Sequence, residues 1–287
     1  MSAVELAVPP VARRPAASTR LLRSELGMVF RRRRNQVILA VLAAIPAVIA
    51  IAVRLAAPPD DPSAGPPFLY AIAGNGVFVA LTALTVVLPL FLPLGVSVVS
   101  GDAVAGEASL GTLRYLLVVP VSRTRMLLVK YAGAVAYCLV AALIVAAVGA
   151  GLGALLFPIG PVTLLSGSQV PLAVGLGRLA LVALYVAAMM AGLAAIGLFV
   201  STLTEAPVAA MATTAVLAVT SQVLDAVPQL GWLHPWLFSH YWLNYGDLLR
   251  DPVAVDGLTR GLLATAAYVA VFGALAWSRM TTKDVSS

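Results

Sequence analysis

The stretch Val37–Ala57, "VILAVLAAIPAVIAIAVRLAA", carries a single charge, Arg54. A bilayer core of roughly 30 Å is crossed by about 20 apolar residues at helical rise, so this run alone is long enough to span. Its apolar residues are continuous, whereas a barrel strand alternates lipid-facing and polar positions. Backbone in lipid must satisfy its own hydrogen bonds, which leaves a helix. Five further runs follow, at about 77–99, 126–157, 172–200, 206–224 and 258–277. The chain is 61% hydrophobic and 10% charged over 287 residues, with a mean hydropathy of +0.99. Those values exclude a soluble globular domain. The sequence predicts an all-α membrane protein of six transmembrane helices. Residues 37–277 form one domain, between an N-terminal arm (1–36) and a tail (278–287). The length of the first run and of the arm before it predicts an anchor rather than a cleaved signal peptide.

Orientation follows from the basic residues, which concentrate in cytoplasmic loops. With the N-terminus inside, the inner segments hold fourteen Lys and Arg: eight in 1–36, four in 100–130 and two in 278–287. The outer segments hold only Arg250, and Arg54, Arg178 and Arg260 fall within or at the ends of spans. Both termini are therefore expected in the cytoplasm, with the chain in the cytoplasmic (inner) membrane. The net charge of +6 lies on membrane flanks, where it serves topology and anionic-lipid contact rather than nucleic-acid binding. The lone Cys138 excludes a disulfide framework and a cysteine metal site. Pro89 and Pro93 are expected to kink the second span, since each removes a helix hydrogen bond. Gly149-x-x-x-Gly153 in the third run permits close helix approach. Leu21, Leu22, Glu25, Met28 and Val29 recur at helical spacing, predicting an amphipathic helix over 18–34.

A charged interruption lies at Gly101–Tyr131, "GDAVAGEASLGTLRYLLVVPVSRTRMLLVKY", with two carboxylates and four cations. It reads as a turn at Gly101-Asp102, a short helix over Glu107–Val119 stopped by Pro120, and a new helix capped by Ser122. Leu110, Leu113, Leu116 and Leu117 make one apolar stripe. On its own chemistry it is either a cytoplasmic contact surface or a polar loop with topogenic charges.

The pattern Glu107-x-x-x-Gly111-Thr112-Leu113-x-x-Leu116-Leu117-x-x-Pro120-Val121-Ser122-Arg123, followed by Lys130, resembles the cytoplasmic loop of type-2 export-class ABC transporter permeases. Ala108, Arg114 and Val129 depart from that pattern. The resemblance implies a coupling helix seated on a cytoplasmic ABC ATPase subunit. Glu107, Gly111, Thr112, Leu116, Pro120 and Arg123 would serve docking and rigid connection. It also implies two ATPase subunits and a second permease chain, identical or related, with membrane lipids around the pair. ATP-driven export of a lipophilic or amphipathic substrate by alternating access would follow. This chain lacks G-x-x-x-x-G-K-[ST]: Lys130 follows "MLLV" and Lys283 follows "RMTT". ATP and magnesium are thus expected on the partner, with no catalytic, cofactor or metal residue on this chain.

The 225–257 segment holds three of the four tryptophans, Trp232, Trp236 and Trp242. The resemblance implies a re-entrant outer-face segment and an external gate there, and an aromatic interfacial anchor is the plainer reading. Arg178 either snorkels to the interface or lines the transport path. His234 and His240 are open to two readings, metal ligands or hydrogen-bonded loop histidines. Two rival functions stand beside the permease. Asp247-x-x-x-Asp251 has the spacing of membrane prenyltransferases, and a non-transporting scaffold or immunity protein would need no ATPase.

Overall fold

The computed structural model describes residues 20–56, 67–110 and 122–282. Among them, α1 (Arg20–Arg31) precedes the first span, α2 (Arg33–Ala56), and α3 (Pro67–Gly74) precedes the second. That span is two helices, α4 (Val77–Val87) and α5 (Phe91–Ser109), meeting at 58°. The third, fourth, fifth and sixth spans are α6 (Arg123–Leu156), α7 (Leu172–Leu203), α8 (Pro207–Asp225) and α9 (Val255–Thr282). Five of these helices are singly long and apolar enough to cross a membrane, and the bent pair makes a sixth. The chain has the helices of a multi-pass, all-α membrane protein.

Most boundaries fall within a few residues of the hydropathy runs, because lipid demands the same continuous apolar length that the sequence displays. The break in the second span sits at Leu88–Leu90, as Pro89 requires. Pro93 lies in the first turn of α5, where its missing N–H costs nothing. Ser122 caps α6, its Oγ accepting from Arg125 N at 3.3 Å. Two elements carried no apolar signal of spanning length. One is α3, and the other is a hairpin of β1 (Val162–Thr163) and β2 (Gln169–Val170). Gly167 turns that hairpin at φ +83°, a left-handed conformation that suits glycine.

The fourth span is the centre of the bundle: 78% of its apolar window is buried, against 11% for the sixth. Leu55, Leu155, Val208 and Leu263 stand largely exposed on the outside, the inverse of a soluble surface. Small residues bring the helices together, as expected where lipid removes any hydrophobic drive between them. Gly153 backs onto the Gly76 carbonyl, and a Cβ on Gly149 would lie 2.5 Å from Ala80 Cα. The Gly149-x-x-x-Gly153 face is therefore the seam between α4 and α6.

One expectation is corrected. Gly101-Asp102 is not a turn, and Glu107 does not begin a separate helix, because α5 runs unbroken to Ser109. Gly101 serves a close crossing instead: a Cβ there would lie 2.7 Å from Met211 N in the fifth span. The α5 backbone is met at this point by Ser201 of the fourth span. Its Oγ donates to Gly101 O at 2.6 Å and accepts from Val104 N and Ala105 N at 3.0 and 2.8 Å. Ser201→Ala would remove the one side chain that bonds Gly101 O, Val104 N and Ala105 N across the two spans, a loss of about 1–3 kcal/mol. A clear fall in the detergent-solubilised melting temperature is the expected result, and an unchanged one would show that the helix closes these bonds itself.

Candidate functional site

Four chain segments converge at the end of the bundle that carries α1, called here the basic end. The α1–α2 corner is built by side chains that satisfy the final carbonyls of α1. Asn35 Nδ2 donates to Val29 O at 2.8 Å and Gln36 Nε2 to Phe30 O at 3.0 Å. This corner aims α1 back across the start of α6, burying Glu25 and Val29 and leaving Met28 exposed. Gly133 of the third span gives Glu25 room, since a Cβ there would lie 3.2 Å from Glu25 Cγ.

The cluster beneath is ionic. Lys130 Nζ, 3% exposed, lies 2.5 Å from Glu107 Oε1 and 3.6 Å from Glu25 Oε1. One turn of α5 away, buried Asp102 accepts from Arg34 Nη2 at 3.0 Å and pairs with Arg32. Three carboxylates thus meet three cations where α1, α2, α5 and α6 touch. Burial pushes the Glu25 carboxyl above its ordinary range, and the Lys130 ammonium opposes that rise. Nothing here has a nucleophile–base arrangement. These ion pairs hold the end of the second span, the start of the third and α1 in one register.

Of the residues marked for coupling, Gly111, Thr112, Leu116 and Pro120 lie outside the described residues. Glu107 and Arg123 lie on either side of them, and both have intramolecular partners. Arg123 Nη1 donates to Met280 O at 2.5 Å and Thr281 O at 3.3 Å, while Trp277 Nε1 donates to Thr124 Oγ1 at 2.9 Å. The last turn of α9 is thereby tied to the first turn of α6. The sequence did not reveal that Glu25, Asp102, Arg32, Arg34 and Lys130 act with Glu107. The available signal was Lys130, a cation eight residues inside an apolar helix, where it needs a partner.

The opposite end is tightly packed as well. Asn75 Nδ2 donates to Gly160 O and Pro161 O, pinning the start of α4 to the turn after α6. Residues 228–249 form three short 3-10 segments. Tyr245 Oη lies 2.6 Å from Thr85 Oγ1 and Tyr185 Oη donates to Tyr241 O at 2.9 Å, clamping the segment onto the second and fourth spans. Arg178 donates to Leu248 O and Arg250 O at 3.0 and 2.5 Å, so it latches this segment to the fourth span. Arg54 is exposed at the end of α2. The tryptophans divide: Trp242 is buried, whereas Trp232 and Trp236 are about three-quarters exposed. Each candidate prenyltransferase carboxylate faces an arginine, Asp247 with Arg250 at 3.4 Å and Asp251 with Arg178 at 3.9 Å.

Residues 36–286 match the model of a protein family described as of unknown function, DUF2705. The chain belongs to the DUF2705 family. The match takes in all six spans and both sides of the Gly101–Tyr131 stretch, so the basic-end cluster of this DUF2705 chain, apart from Glu25, Arg32 and Arg34, lies within it. No curated protein matches the chain.

Proposed function

We propose that this chain is the membrane subunit of an ATP-driven exporter, worked by a separate ATPase that seats on the loop between the second and third spans. The observation that carries the reading is the Glu107–Lys130–Glu25 cluster. It joins the two flanks of that loop, whose "GTLRYLLVVPVSR" core resembles the coupling segment of type-2 ABC permeases, to each other and to α1. A buried ionic network of this kind specifies one register rather than adding stability. A push on the loop is then delivered to the second and third spans and to α1 together. In this reading the basic end faces the cytoplasm, which the distribution of Lys and Arg supports. Two copies would enclose an apolar path along the second and fifth spans. The cargo would be lipophilic or amphipathic, and the exposed Trp232 and Trp236 would sit at the external mouth.

The test is isolation of the tagged chain from its native membrane in mild detergent, with mass spectrometry of what co-elutes. A protein bearing G-x-x-x-x-G-K-[ST], near one to one, is the expected result. Its loss from an Arg114→Glu/Leu116→Asp chain that still elutes as a folded species would assign the contact to the loop. Charge reversal at Glu107 suits this test poorly, because a second cation beside buried Lys130 would disturb the fold itself. Failure to recover any such ATPase in several detergents would overturn the reading.

A further inference from the structure

Outside the basic end, one group of chemistry-bearing side chains has no part in the reading above. Asp225 closes the fifth span, His234 lies in the 3-10 turn His234–Trp236, and His240 follows six residues later. His240 Nδ1 stands 2.6 Å from Asp225 Oδ1, and one ligand atom from each of the three lies within 4.8 Å of the others. The two imidazoles are 5.7 Å apart between ring centres and tilted by 32°. From these observations the geometry points to a binding site for a borderline divalent transition ion, Zn2+ in kind, held by Asp225, His234 and His240.

The donor set decides the class of ion. Two imidazoles and one carboxylate suit zinc and its neighbours, whereas magnesium and calcium want oxygen alone. Around a tetrahedral zinc with bonds of about 2.0–2.1 Å, ligand atoms stand about 3.3 Å apart. The present separations, from 2.6 Å up to 4.8 Å, bracket that value, and side-chain rotation alone can reach it. The ion takes the place of the proton between His240 Nδ1 and Asp225 Oδ1, which is carried to Nε2, so that the ring ligates as a neutral imidazole through Nδ1. His234 Nε2 at present donates to Val227 O at 3.1 Å. Moving its proton to Nδ1 frees Nε2 as a ligand.

The backbone around the three residues is already held. Ser221 Oγ and Ser239 Oγ meet at 2.6 Å, both buried. That contact pins the residue before His240 to the fifth span one turn before Asp225. Leu237 N donates to His234 O and His240 N to Leu237 O, so successive 3-10 turns bring both histidines to the same place. The Tyr241 and His240 rings meet edge to face at 4.8 Å between centres. The side chains of His240 and Asp225 are 34% and 26% exposed, so an ion can enter from solution and keep a water as fourth ligand. An occupied site ties the end of the fifth span to the segment ahead of the sixth, a cross-brace added to the Ser221–Ser239 contact that already joins them.

The test is a calorimetric titration of the full-length, tag-cleaved protein in detergent with zinc chloride, repeated with Co2+ followed by visible absorption. One equivalent, tighter than about 10 µM, with the absorption of tetrahedral cobalt, is the expected result. A His234→Ala/His240→Ala chain should bind at least about tenfold more weakly, as should the milder Asp225→Asn and His240→Gln chains. Zinc should raise the melting temperature of the wild type and not of these variants. The mild variants keep the comparison intact if the double alanine chain does not fold. Absence of saturable binding by the wild type, or binding that survives all the substitutions, would overturn the site. Neither outcome involves an ATPase, so the site and the exporter reading stand or fall separately.

Discussion

Replacing Gly153 with valine is expected to abolish recovery of a monodisperse protein, while Gly151→Val leaves it unchanged. The two glycines are two positions apart in the same helix and differ only in what they face. A Cβ at Gly153 would run into the backbone carbonyl of Gly76, and at Gly151 it would meet nothing within 4 Å. The carbonyl of Gly76 cannot retreat easily. The Gly76 N–H donates to Pro158 O at 3.0 Å, and the side chain of neighbouring Asn75 makes three hydrogen bonds, two donated and one accepted from Val77 N. Overpacking ordinarily costs about 1–3 kcal/mol because neighbours shift. Here backbone would have to move, and the loss should lie at or beyond that range. Fluorescence-detected size exclusion of the two variants decides it, and equal profiles would mean that the α4–α6 seam is looser than drawn.

Lys130→Met is the second large effect. It leaves Glu25 and Glu107 buried without their shared cation, a change that costs about 3–5 kcal/mol. Adding Glu25→Gln and Glu107→Gln should recover part of the loss, since neutral amides need no counter-charge. The sign of the pH dependence follows from Glu25. Burial holds its carboxyl above the ordinary value of 4.5, so the folded chain binds this proton more tightly than the unfolded chain. Its contribution to stability therefore falls as pH rises from that ordinary value through the folded one. Removing Lys130 takes away the influence that lowers it and extends the window upward. The deficit of Lys130→Met relative to wild type should be smaller at about pH 5 than at about pH 8. Thermal melts of both chains at the two values check this, and a pH-independent deficit would show that the carboxylates find other partners.

The spans were legible because continuous hydropathy is both the sequence signal and the physical requirement. The Pro89 break, the Ser122 cap and the Gly149–Gly153 seam were legible for similar local reasons. The Gly101-Asp102 turn was misread because glycine signals a turn in water but a close helix crossing inside a bundle. Here the residue that uses the space, Met211, is more than a hundred positions away. The ionic cluster was hidden for the same reason: Glu25, Glu107 and Lys130 have no sequence proximity, and helical periodicity does not say which charges will face each other. Within 225–257, the tryptophans looked equivalent until packing separated buried Trp242 from exposed Trp232 and Trp236. Asp225 gave no hint of its neighbours, because it ends a span and the histidines arrive through 3-10 turns that have no hydropathy signature.

The bend in the second span has a mechanical consequence. Its two limbs belong to different neighbours: α4 rests on the third span, whereas α5 rests on the fourth and fifth. At the corner, Gln222 Nε2 of the fifth span donates to Pro89 O at 2.8 Å, engaging a carbonyl near the break in the helix. A straight rod seated in a groove can slide along its own axis like a piston. A rod bent by 58° cannot, because the stroke that frees one limb drives the other into its neighbour. Force applied at the foot of α5 would therefore be turned into rocking about the corner, where Gln222 holds Pro89 O.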